Sequence, residues 1–278
     1  MSQRDTLAPA AALASHIDAP DAATPAAATL FARYAPAIAA LPDHPRLTRG
    51  DLLTTDFLLE QDGRLAIYYA PFDYVNPQAK VALVGITPGF QQMEIALRES
   101  RDALRRGTPA AEIVARVKYQ ASFAGPIRKN LVGILDGIGL PQALGIATSA
   151  LLYTERTDLL QTSAVVRHPV FVGGKDWSGH TPPVRSNALL RRYLWETMLP
   201  ELQAVPDALL ISLGKCASDA LAALVAADAL DPARCLIGLP HPSGANGHRH
   251  AQFAAVRDDL ATQVAAWFGA ESRECGLS

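Results

Sequence analysis

The chain has 278 residues, 49% of them apolar and 19% charged, with a formal charge of −2. That length and apolar share suit one α/β domain with appendages, and the near-neutral balance excludes a generally basic nucleic-acid binder while leaving room for a local basic groove. Three cysteines, Cys216, Cys235 and Cys275, are too few and too widely spaced for a disulfide framework, a CxxC pair or a four-thiolate iron–sulfur cluster.

Residues 1–50 read as an Ala/Pro-rich arm, expected to be partly flexible, with the folded domain over 51–270 and a tail over 271–278. Charges and prolines break the Ala-rich start, and no run reaches membrane-spanning length, so a cytoplasmic protein without membrane contact is expected. The alternation over residues 57–69 predicts a hairpin turning at Asp62-Gly63. Val81-Ala82-Leu83-Val84 is the first buried central strand. An amphipathic helix follows over 93–106, with Met93, Ala96, Leu97 and Leu104 on its apolar face, then a second helix over 110–119. The segment starting at Phe123 leads into a helix that ends near Gly137-Ile138-Gly139. The next strand is placed within 150–160, with further strands at 209–213 and 236–239 and helices over 217–227 and 252–268. This order of elements predicts a three-layer α/β/α sandwich around a central, mainly parallel sheet.

Two loops carry the chemical signal. Gly85-Ile86-Thr87-Pro88-Gly89 follows the first central strand directly, and His241-Pro242-Ser243-Gly244-Ala245-Asn246 follows the last. In an open α/β sheet, ligands collect outside the carboxyl ends of the strands, so both loops can reach one pocket. Together and in this order they resemble the uracil-DNA glycosylase superfamily, which pairs a Gly-x-x-Pro-(Gly/Tyr) loop with a (His/Asn)-Pro-Ser loop. The resemblance covers roughly residues 80–269. It implies the uracil-DNA glycosylase-like fold and a monofunctional, cofactor-free and metal-free DNA glycosylase acting as a monomer. Such an enzyme flips a base out of DNA and hydrolyses its N-glycosidic bond, leaving an abasic site.

The resemblance also assigns residues. His241 matches the histidine that donates to the pyrimidine O2 as charge develops on the departing base. Thr87 stands where relatives carry Asn or Asp to orient or activate the water; its hydroxyl can hold a water but is no general base near neutrality. Gly85 and Ile86 form the base-binding wall, and Phe123 in Phe123-Ala124-Gly125 matches a stacking phenylalanine, with Phe90 as competitor. Ser243, Asn246 and Arg249 are expected to touch DNA. Lys175 and Arg185 belong to a run over 167–192 with five basic residues and one acid, readable as a phosphate strip or as a solvated face.

Thr157-Asp158-Leu159-Leu160 matches the place of a base-reading asparagine. An Asp158 carboxylate would accept from the exocyclic amine of cytosine and, if protonated, share its proton with N3. The expected target is therefore a modified cytosine, such as those of some phage DNAs, in a defence role. Excision of uracil or another deaminated base, a silent DNA-binding descendant and a nucleotide binder using residues 85–89 as an anion nest are the alternatives. Within the 167–182 segment, Trp177 is a candidate for the pocket mouth, while His168 and His180 lack a third metal ligand.

Overall fold

The computed structural model describes residues 25–274, with side chains from 30 to 269. Helix α1 (Pro25–Ala39) lies inside the segment expected as an arm, yet Phe31, Tyr34 and Ile38 are buried and the Tyr34 ring stacks on Tyr69 with centroids 3.9 Å apart. Their spacing puts one apolar stripe on the helix, so the folded unit begins upstream of residue 51. Helix α2 (Arg49–Leu52) is short and closed by a capping box between Thr48 and Asp51. The expected hairpin forms from β1 (Leu58–Asp62) and β2 (Leu65–Tyr68), with Gly63 at φ 58 in the turn.

Strand β3 (Val81–Gly85) opens the central sheet and is followed by three helices, α3 (Phe90–Arg105), α4 (Ala110–Ala121) and α5 (Pro126–Gly137), and by the short α6 (Leu140–Ala143). Next come β4 (Leu160–Ala164), then β5 (Val170–Val172) and β6 (Lys175–Asp176). Helices α7 (Ala188–Tyr193) and α8 (Leu199–Gln203) lead to β7 (Leu209–Leu213), α9 (Lys215–Ala226), β8 (Cys235–Leu239) and α10 (Arg249–Glu274). The last helix therefore continues into the expected tail; Cys275 lies outside the described residues.

The central sheet has the order β4-β3-β7-β8 with every pair parallel, and the antiparallel strands form a separate sheet, β1-β2-β5-β6. Side chains alternate across the central sheet. Val81, Leu83, Leu209 and Ile211 join the core under α1, α3, α4 and α5, while Ala82, Val84 and Leu210 join the core under α7, α8 and α9. This is the expected α/β sandwich. The chain runs from β3 to β4 on one side and then returns past β3 to β7, so the strand order reverses beside the carboxyl end of β3, where a crevice opens.

One strand is displaced from its expected place. Residues 149–153 and 157–159 form 3₁₀ turns, and the strand is Leu160–Ala164. The run Leu151-Leu152-Tyr153 has the composition of a strand, whereas Gln161-Thr162-Ser163 does not; packing overrides both preferences. The open edge of β4 is covered by polar side chains: Asn76 Nδ2 donates to the Asp158 carbonyl at 2.7 Å and to the Leu160 carbonyl at 3.2 Å, and the Asn76 N–H donates to Gln161 Oε1. These bonds stop the edge from pairing with another chain.

Candidate functional site

The carboxyl ends of all four central strands border one cavity of about 1200 Å³. Residues 85–89 after β3, Ser163 and Ala164 at the end of β4, Gly214 after β7 and His241 after β8 line it. The chain separates the two loops widely; the parallel sheet brings them to one rim.

Phe123 lies against β3. It adopts φ 54, and a Cβ built on Gly85 would fall 3.0 Å from its ring, so any larger residue at 85 would push the ring aside. Phe123 lines the cavity. Phe90 is the first residue of α3 and has the Arg49 guanidinium 4.4 Å from its ring centroid, outside the cavity wall. Of the two competing phenylalanines, the structure places Phe123 at the cavity. Ile86 lines it as well.

Thr87 Oγ1 donates to the His168 carbonyl at 2.8 Å. A hydroxyl has one proton, so towards the cavity this one can only accept. His241 Nδ1 accepts the Ser243 N–H at 3.2 Å, which places the proton of a neutral ring on Nε2. Burial, reinforced by nearby His180, holds the His241 pKa below its ordinary value. Gly214 adopts φ 85, and a Cβ there would fall 2.7 Å from His241 Cβ; the glycine makes room for the imidazole.

The deep wall holds residues that the sequence pattern did not single out as site residues: Lys118, Ser122, Thr162, Ser163 and, facing inward, Arg167. Lys118 is 2% exposed. Its ammonium donates to the Tyr74 carbonyl and to Glu201 Oε1 at 3.0 Å. Glu201, fully buried, also accepts from Gln161 Nε2 at 2.5 Å and from Arg167 Nε at 2.8 Å. The two cations hold the Glu201 carboxyl below the usual range although burial opposes them, and burial pushes the Lys118 ammonium down against the pull of Glu201. Ser163 Oγ is buried without a hydrogen-bond partner, and the Ser122 and Thr162 hydroxyls bond each other at 2.9 Å. One signal pointed to Lys118: it falls four residues after Val114 on the buried stripe of α4, where a lysine is costly unless paired.

Several expected site residues lie elsewhere. Asp158 sits at the amino end of β4, opposite the cavity, exposed and ion-paired with Arg156 at 3.0 Å. It is not a base-reading or catalytic residue, because a strand's two ends are a full strand length apart and the cavity opens at the other one. The basic strip is also broken up. Arg167 turns inward to Glu201, Arg192 pairs with Glu60, and Arg191 donates to the Arg185 carbonyl. Lys175 and Arg185 are exposed but do not border the cavity. Ser243 and Asn246 do border it, and Arg249 Nη1 donates to the Ser243 carbonyl. Trp177 lines the mouth with its Nε1–H bonded to the Pro182 carbonyl at 3.0 Å. His168 packs on Tyr69 and Asp73, and no group of three metal-ligating side chains occurs among the described residues.

Residues 72–261 match the family model of the Uracil DNA glycosylase superfamily. The chain belongs to this superfamily. A curated protein of Bacillus subtilis (strain 168), the uncharacterized protein YoxB, is 40% identical over 220 residues, which cover 78% of this chain and 86% of that protein. No solved structure matches. Membership in the superfamily points to a DNA glycosylase, a hydrolase acting on DNA, and no helix among the described residues is long and apolar enough to cross a membrane.

Proposed function

We propose that this superfamily member is a monofunctional DNA glycosylase that excises a base with a carbonyl group where cytosine or adenine carries an exocyclic amine, that is, uracil or another deaminated base. The observation that carries this reading is the chemistry of the deep wall. Lys118 and Arg167 are donors only, whereas the two carboxylates bordering the cavity are committed elsewhere. Asp176 accepts the Phe90 N–H and pairs with Arg49, and Asp219 pairs with Lys215. A carbonyl oxygen matches such a wall; an exocyclic amine would turn its own donors towards cations. The modified-cytosine reading rested on Asp158, and with Asp158 at the far end of β4 it loses its reader.

The reaction follows from the placement of the groups. The extruded base stacks on Phe123, with the sugar towards residues 85–89. Thr87 Oγ1 accepts a hydrogen bond from a water, which turns a water lone pair towards the anomeric carbon. As the N-glycosidic bond breaks, its electron pair passes to the base, the water oxygen bonds to the oxocarbenium-like sugar carbon, and the water's proton leaves to solvent. The His241 Nε2–H donates to the oxygen on which charge grows. Ser243 and Asn246 at the cavity, with Arg249 bonded to the Ser243 carbonyl, hold the strand.

The neutral His241 gives a pH dependence with a definite sign. Because its pKa is lowered from 6.5, the ring stays neutral through neutrality and the rate should stay level there; below the ordinary histidine value, a proton on Nδ1 faces the Ser243 N–H, breaks the bond that holds the ring and lowers the rate. A rate that already declines as pH rises from 6 to 8, on the order of the histidine range, would require the imidazolium instead. The reading as a whole is checked by alkaline cleavage of uracil- and hypoxanthine-containing oligonucleotides after incubation. Strand breaks at those bases support it. Salt-sensitive DNA binding without alkali-labile sites at those bases overturns it.

A further inference from the structure

We propose that Lys118 is a second charge-stabilising group for the departing base, acting opposite His241 and positioned by Glu201. The inference rests on the glycosylase reading above. Its basis is the sheet order: His241 follows β8 at one side of the sheet, whereas Lys118 reaches the cavity past β4 at the other. A flat base lying across the strand ends is therefore met from both sides. When the glycosidic bond breaks, the electron pair left on the base spreads to its two carbonyl oxygens, and His241 serves only one of them. Lys118 has three N–H bonds; the Tyr74 carbonyl and Glu201 take two, and the third is available to a group in the cavity that Lys118 lines.

Structural necessity alone gives a poor account of this lysine. A buried ion pair is commonly replaceable by apolar residues with no loss of stability, and the helix around Lys118 is otherwise apolar on this face, with Val114, Val117 and Ala121. Glu201 keeps the ammonium at the cavity wall, and through Arg167 it holds a second donor beside it. Both are hydrogen-bond donors fixed in place by Glu201, and a preorganised cation facing developing negative charge acts with little reorganisation.

The test is a leaving-group series on Lys118→Met, with uracil and its better leaving 5-fluoro derivative in otherwise identical oligonucleotides. Loss of a charge-stabilising donor should cut uracil release by roughly two orders of magnitude. The loss on 5-fluorouracil should be at most about tenfold, since that base needs less help. Equal losses on both would reduce Lys118 to a structural part and overturn the inference while leaving the glycosylase reading intact. A second arm uses the unaltered protein, in case the variant does not fold. Calorimetry of the protein bound to abasic DNA should show that 5-nitrouracil binds more tightly once it is ionised, by about tenfold or more. Equal or weaker binding of the ionised ring overturns the inference. If no base is released from any oligonucleotide, the glycosylase reading fails, and the calorimetric arm still reports on the wall by itself.

Discussion

His241→Ala should lower base release by about two to three orders of magnitude, the usual effect of deleting one preorganised donor to developing charge. The structure specifies why a single imidazole matters this much. Its Nδ1 is held by the Ser243 N–H, its Nε2–H is the free end, and Gly214 leaves the space in which the ring stands. The residue is only half-buried and makes few structural bonds, so DNA affinity and the melting temperature should change little. The check is single-turnover base release alongside DNA binding. A variant that keeps full activity would remove His241 from the chemistry, and one that loses binding and folding together would make it structural.

The second large effect concerns stability. Glu201→Ala should destabilise the protein by about 3–5 kcal/mol, because it leaves the buried Lys118 ammonium and the largely buried Arg167 guanidinium without their common counter-charge. Glu201 is fully buried and accepts from three side chains, so no water can take over its role without opening the β4 edge. Asp219→Ala is the contrast. It removes an exposed partner of Lys215 and should cost no more than about 1 kcal/mol. Denaturant melts of both variants decide the point; similar small losses would mean that the buried network contributes little to the fold.

Much of the fold was legible because the central strands are apolar and punctuated. Val81 to Val84 and Leu209 to Leu213 are short runs with apolar residues on both faces, as strands buried on both sides require, and glycines end them at Gly85 and Gly214. The two loops were legible for the same reason, since each begins where such a strand stops. β4 was not, because its interior is Gln161-Thr162-Ser163, polar residues that the covered sheet edge and the cavity wall make use of. Misplacing that strand by one segment carried Asp158 to the wrong end of it, and the modified-cytosine reading followed. The Ala/Pro-rich arm was open to short helices, but the alanines and prolines hid that α1 packs into the core, although Phe31, Tyr34 and Ile38 already had helical spacing. Lys118 was passed over and Arg167 read as part of a basic strip for a general reason: a basic residue is ordinarily solvated, and sequence gives no direct sign that one glutamate, 83 positions on from Lys118 and 34 on from Arg167, will meet both.

The central claim, that a donor-lined pocket reads a base with a carbonyl in place of the exocyclic amine, is tested most directly by competition in one tube. Oligonucleotides carrying uracil, hypoxanthine, cytosine and 5-hydroxymethylcytosine are incubated together with the protein, and the free bases are identified by mass spectrometry. The donor wall formed by Lys118 and Arg167 predicts release of uracil or hypoxanthine and no free cytosine derivative. Release of 5-hydroxymethylcytosine with uracil left in place would contradict it.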